Sequence, residues 1–129
     1  MMWCVSCNVH ENAVTDIGRP YPGKGVGRGI SLATLLSEVE EWHGCEVGVF
    51  GYLQAGPEEL ALYLSRDHAR HHSVQDSVWV EFAEDVVLEG DGGRVGNKYV
   101  QVLGMVDTNV HGHLGAWEAG VLVKKVRVR

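Results

Sequence analysis

Tyr99-Val-Gln-Val-Leu-Gly-Met105, then Asn109-Val-His-Gly-His-Leu-Gly115, then Val121-Leu-Val-Lys-Lys-Val-Arg-Val-Arg129: these three stretches decide the class of fold. In the first, Val100, Val102, Gly104 and Val106 alternate with Tyr99, Gln101, Leu103 and Met105. That is the period of two by which a strand sends one set of side chains to each face. Both sets are largely apolar, which predicts a central strand. The last stretch alternates too, but Val121 and Val123 fall at odd positions and Val126 and Val128 at even ones. Such a slip at Lys124-Lys125 predicts a β-bulge, an extra residue that lets a sheet bend. Glycines and histidines fill the segment between, so the whole reads as two long strands joined by a turn.

Upstream the same period recurs. Val47, Val49, Gly51 and Leu53 share one face of a strand and Leu60, Leu62 and Leu64 one face of a second, with Gly56-Pro57 turning between them. Ser65 is placed to cap a short helix, Arg66 to His72, before a third strand carrying Val78, Val80 and Phe82. Asp91-Gly92-Gly93 is a turn, and Asn97-Lys98 opens the fourth strand at Tyr99. Ahead of all these, Leu32, Leu35, Leu36, Val39 and Trp42 recur at helical spacing behind the N-cap Ser31, and Gly44 is placed to end that helix. Residues 1–29 hold the glycine run Gly23-Lys-Gly25-Val-Gly27-Arg-Gly29 and no apolar period, so they read as a mobile arm before a single domain, 30–129.

Composition sets bounds on function. The chain has 129 residues, 45% of them hydrophobic, enough for one core without staples. Acidic residues outnumber basic ones 17 to 11, a net charge of -6 that disfavours a broad phosphate-binding surface. The three cysteines, Cys4, Cys7 and Cys45, are too few and of the wrong parity for a disulfide framework, which points to a reducing, cytoplasmic setting. No stretch reaches the roughly 18 apolar residues of a membrane span. Cys4-Val-Ser6-Cys7 also has a faint likeness to the end of a lipoprotein signal, so an exported lipoprotein with a misassigned start is the alternative.

Helix, strand, strand, short helix and three further strands fit a mainly β fold, a small five-stranded barrel preceded by an amphipathic helix. The pattern Ile30-Ser-Leu32, Leu35-Leu36, Trp42-His-Gly44, Val47-Gly-Val49-Phe-Gly51-Tyr-Leu53 and Leu62-Tyr-Leu64-Ser65 resembles uncharacterised small bacterial domains of the OB-fold kind. Tyr99-Val100 through Gly104 to Gly112-His113-Leu114-Gly115 resembles the same group. The resemblance covers about residues 30–129 and implies an OB-like barrel that binds oligonucleotides, oligosaccharides or proteins through its face and loops. It implies no catalytic residues.

Several motifs suggest sharper chemistry. Gly18-Arg-Pro-Tyr-Pro-Gly23-Lys24-Gly25 has P-loop spacing, but Gly25 stands where a Mg²⁺-binding hydroxyl belongs and two prolines remove backbone donors. Cys4, Cys7 and His10 have soft-metal spacing with no assigned fourth ligand. His68 and His72 would face one side of a helix at i and i+4, with His71 beside them, although a solvated helix explains the segment better. Neither a metal nor another cofactor is expected, and no catalytic residue is assigned.

Recognition is expected on the loop carrying His111, His113, Trp117 and Glu118, together with the facing loop near Ala55 to Glu59. The residues of the loop themselves favour a structural reading, in which its glycines shape a crossover and Leu114 and Trp117 plug one end of the barrel, over a binding surface or a catalytic one. The leading function is a non-enzymatic module that binds a protein partner, of the immunity, inhibitor or accessory type. The alternative is an OB-type binder of single-stranded nucleic acid or oligosaccharide, stacking on Tyr52, Tyr63, Trp79 or Tyr99 beside Lys98, Lys124, Lys125, Arg127 and Arg129. Those cations better suit an edge strand kept soluble and unpaired by charge.

Overall fold

The structure is a computed structural model that describes residues 28–89 and 95–129. Its elements run β1 (Arg28–Ile30), α1 (Leu32–Ser37), a 3₁₀ turn (Val39–Trp42), β2 (Glu46–Gly56), β3 (Glu59–Tyr63), α2 (Arg66–Arg70), β4 (Ser77–Glu89), β5 (Lys98–Asp107) and β6 (Gly120–Val128). Further 3₁₀ turns precede β4 at Val74–Asp76 and β6 at His113–Gly115. The chain is mainly β. Its strands are neighbours in the order β1-β2-β3-β4-β6-β5, and β5 pairs back onto β2, so the mixed sheet closes into a ring.

β2 makes the closure possible. Residues Glu46 to Leu53 pair antiparallel with β5 along one edge. The other edge takes β1 in parallel at Val47 to Val49 and then β3 antiparallel from Tyr52 to Gly56. β4 and β6 are parallel, and the remaining ring contacts are antiparallel.

The valines counted at alternate positions all turn inward. Val47, Val49, Leu53, Leu62, Val78, Val80, Val100, Val102, Val106, Val121, Val123 and Val126 form one buried cluster. α1 and the turn after it add Leu32, Leu35, Val39 and Trp42 to this cluster. Ser31 caps α1 as expected, its hydroxyl accepting from the Thr34 N–H at 3.0 Å. Trp42 is buried and its indole N–H donates to Glu38 at 3.2 Å. Gly44 follows at φ 81°.

The slip in β6 is a bulge. Leu103 faces Lys125 but Gly104 faces Val123, which leaves Lys124 as the extra residue. Gly104 is required there: a Cβ would stand 2.3 Å from the Leu122 carbonyl oxygen. Removing the extra residue would send either Val121 and Val123 or Val126 to the wrong face.

The structure departs from the sequence reading in several respects, beginning with the helix expected from Leu32 to Trp42, which breaks after Ser37 into a 3₁₀ turn. The sheet has six strands, because β1 begins inside the segment assigned to the arm. Ile30 of β1 packs on the core, and backbone pairing to β2 leaves no apolar period to read. The outer face of β5 is open rather than covered, with Met105 and Tyr99 exposed. Cys45 is buried and disulfide-bonded. The remainder of the arm, with its P-loop-like run and Cys4, Cys7 and His10, lies outside the described residues, as does the turn at 91–93. No helix among the described residues is long and apolar enough to cross a membrane.

Candidate functional site

The long connection between β5 and β6 folds back over the outer face of β3 and β4. It is closed by a pair of hydrogen bonds: the Trp117 N–H donates to the His111 carbonyl at 2.9 Å, and His111 Nδ1 lies 2.9 Å from the Trp117 carbonyl. A carbonyl only accepts, so Nδ1 of His111 carries the proton. Gly112, at φ 70°, presses on the Trp79 indole, where a Cβ would fall 2.5 Å from the ring.

Trp117 is the anchor. It is buried, its ring lies 4.8 Å from that of Trp79, and its indole N–H donates to Ser77 Oγ at 2.7 Å. Ser77 passes the bond on to the Val74 carbonyl at 2.9 Å. With Ala61, Tyr63 and Ala69, and with Tyr52, Val74 and Trp79 alongside, Trp117 makes a second small core outside the ring. Trp117 therefore seals the sheet's outer surface, whereas Leu114 points into solvent at 88% exposure.

Beside this core the two expected loops meet. His113 Nε2 lies 3.5 Å from Glu58 Oε1, joining the β5–β6 loop to the β2–β3 turn. His72 Nδ1 lies 3.9 Å from Glu59 Oε1, and the Tyr63 hydroxyl donates to Glu59 Oε2. Between them is an open cleft of ≈ 440 Å³, lined among others by Gln54, Glu58, Glu59, His72, His113 and Trp117. Burial first, and the hydrogen bond to Glu59 second, push the Tyr63 hydroxyl well above the ordinary tyrosine range. The cleft thus offers two histidine–carboxylate pairs on a rigid aromatic floor. It can exchange hydrogen bonds and ion pairs with a ligand. Glu118 lines a neighbouring hollow of ≈ 410 Å³ that shares Val74 and Trp117 with the cleft.

Lys124 and Lys125 are not part of this cleft. Lys124 pairs with Glu46, while Lys125 Nζ and Arg127 Nε clasp Glu89 at 3.3 and 3.1 Å. Arg127 and then Lys125 hold the Glu89 carboxyl below its ordinary value.

The histidines of α2 do not converge either. α2 stops at Arg70, His72 turns away at φ 52°, His68 Nδ1 engages Ser65 Oγ at 2.7 Å and His71 Nδ1 the Asp67 carbonyl at 2.9 Å. Among the described residues no group of three or more His, Cys, Asp and Glu side chains is placed to hold a metal. Sequence reasoning missed His72, Gln54 and Ser77 as neighbours of the loop. Only the polar character of each was visible, and their convergence is long-range.

The sequence matches no family model and no curated protein. Among solved structures it is similar to a crystal structure assigned as an aspartyl-tRNA synthetase from Leishmania major Friedlin, with a TM-score of 0.50 and 12% identity. The match covers 93% of this chain and 26% of that one, so the chain spans about a quarter of that protein. At this identity the likeness concerns the fold.

Proposed function

We propose that the ring is an OB-type barrel, of the kind seen in small bacterial OB-like domains, and that it serves as a non-enzymatic module binding a protein partner. The barrel assignment is supported by the closed order β2-β3-β4-β6-β5 with β4 and β6 parallel, and by the fold likeness to the synthetase. The protein-binding assignment rests on one observation: the His113–Glu58 pair joins the two loops over the cleft. Recognition at one end of such a fold falls on loops held by a rigid scaffold, and here Trp117 and Gly112 provide the rigidity.

Two features weigh against a nucleic-acid strand on this side of the barrel. Tyr63 is fully buried and Trp79 is covered by Trp117 and Gly112, so neither ring is free to stack on a base. The cleft also carries the carboxylates of Glu58 and Glu59, which repel phosphates. Partner capture with His113→Ala and Glu58→Gln tests the assignment. Both positions are exposed, so the variants should melt like the parent while losing the captured protein; full retention by both would place the partner elsewhere.

A further inference from the structure

A second surface, away from the Glu58–His113 cleft, lies on the outer face of β2, β5 and β6. Four large apolar side chains stand open on it: Phe50 at 48% exposure, Met105 at 46%, Leu122 at 44% and Tyr99 at 37%. Apolar side chains grouped in this way on one face mark a contact surface. The strand register sets them in rows across the three strands: Glu46, Met105 and Leu122; Gly48, Leu103 and Lys125; Phe50, Gln101 and Arg127. A last row joins Tyr52 to Tyr99, whose carbonyl accepts from the Arg129 N–H at 3.1 Å. Tyr99 is held in place, since the Arg66 N–H donates to its hydroxyl at 3.0 Å and its ring stacks on Phe50 at 5.6 Å and 6°.

The strands that flank β5 differ in charge. β6 brings Lys124, Lys125, Arg127 and Arg129 to this side, whereas β2 brings Glu46, Gly48, Phe50 and Tyr52. Two chains of net charge -6 repel over most of their surface. On this face the four cations are set against Glu46, Glu81 and Glu89, so the local balance is not acidic.

We propose that this face is covered by a second copy of the chain, related to the first by a two-fold axis along β5. A two-fold contact lays one patch on itself, so the patch must complement itself. An axis across the strands would lay β6 on the partner's β6 and set cation against cation. An axis along β5 lays β6 on the partner's β2 and keeps each row at its own height. Lys124 then approaches the partner's Glu46, and Lys125 enters the space above the partner's Gly48. Arg127 and Arg129 lie over the rings of the partner's Phe50 and the partner's Tyr52, where a cation is attracted to the face of an aromatic ring. Arg127 keeps its bond to Glu89 meanwhile, because a guanidinium offers its edge to a carboxylate and its flat side to a ring. Leu103 and Met105 meet their own copies at the axis. Sheets packed face to face cross at about 30°, and a closed ring curves away on either side of β5, so the flanks are bridged by long side chains of this kind.

The test is sedimentation velocity of the full chain over a dilution series, with each variant first shown to melt like the parent. The parent should sediment as a dimer. Met105→Glu places two carboxylates together at the axis and should weaken the dimer roughly a hundredfold, whereas Leu114→Glu, apolar and exposed in the parent but outside this face, should leave it intact. Glu46→Lys and Lys124→Glu should each weaken it roughly tenfold through the like-charged pairs they set across the interface. Mixing these two variants should restore a dimer, because every such pair across the interface becomes an opposite one while the pair within each chain stays like-charged. A parent that runs as a monomer overturns the proposal, whether the open face then takes up labelled oligothymidylate or nothing. A dimer untouched by Met105→Glu, or a mixture no more associated than its two components, overturns it as well.

Discussion

The Trp117 indole N–H donates to Ser77 Oγ at 2.7 Å across 40 residues of sequence, with both groups buried. This one bond fixes the β5–β6 loop to the start of β4. Ser77→Ala should leave the indole N–H without a partner and cost about 1–3 kcal/mol. Trp117→Ala should cost about 3–5 kcal/mol, since it empties the second core as well. His113→Ala, on the same loop but exposed, should stay within about 0.5 kcal/mol of the parent. Urea denaturation of the three variants checks the order. It also decides which of them can be used to probe binding, because a loss of partner by the Trp117 variant would report unfolding of the loop.

Gly104→Ala should be among the most damaging single-methyl changes in the chain. The added Cβ has backbone in its way, the Leu122 carbonyl, and no flexible side chain can yield. Overpacking of a rigid site costs about 1–3 kcal/mol and forces the β5–β6 register to shift. Thermal melts should show the loss; a Gly104→Ala variant as stable as the parent would mean that the bulge at Lys124 relaxes freely.

Trp42→Ala should cost about 3–5 kcal/mol by chemical denaturation. Trp42 is one of the largest fully buried side chains and joins the helical segment to the ring. A loss below about 1 kcal/mol would make that segment peripheral to the core.

Stability should also fall on the alkaline side through Tyr63. Its folded-state pKa lies above the unfolded value of about 10, so its contribution is complete below that pH. The contribution is lost as pH rises from there toward the folded value, because the unfolded chain releases the proton first. Tyr63→Phe should flatten the decline of stability above about pH 10. An unchanged alkaline slope would show that Tyr63 ionises as easily in the folded state.

How far the sequence carries can be judged residue by residue. Val47, Val100, Val121 and their alternates announce the inner face because burial on one side of a strand imposes a period of two, and the change of phase at Lys124 announces the bulge for the same reason. The caps at Ser31 and Ser65 are local and equally legible. β1 was not, since three residues held by backbone pairing carry no side-chain pattern. The loop from His111 to Glu118 stood out by composition, and the structure brings it against the turn at Glu58. A structural role for Trp117 was legible in the loop, but not the place it fills, because that depends on Ser77, Tyr63 and Trp79, which arrive from other strands. Likewise nothing local distinguishes Tyr63, which is sealed, from Tyr99, which is open.

The central claim, that recognition takes place where the β2–β3 turn meets the β5–β6 loop, is tested most directly by photocrosslinking in the cells that express the protein. A photoreactive residue is placed at Glu58, at His113 and, as a control, at exposed Glu40 on the turn after α1. The account predicts one discrete adduct with the same protein from positions 58 and 113 and none from position 40. Silence at both loop positions, or the same adduct from position 40, would contradict it.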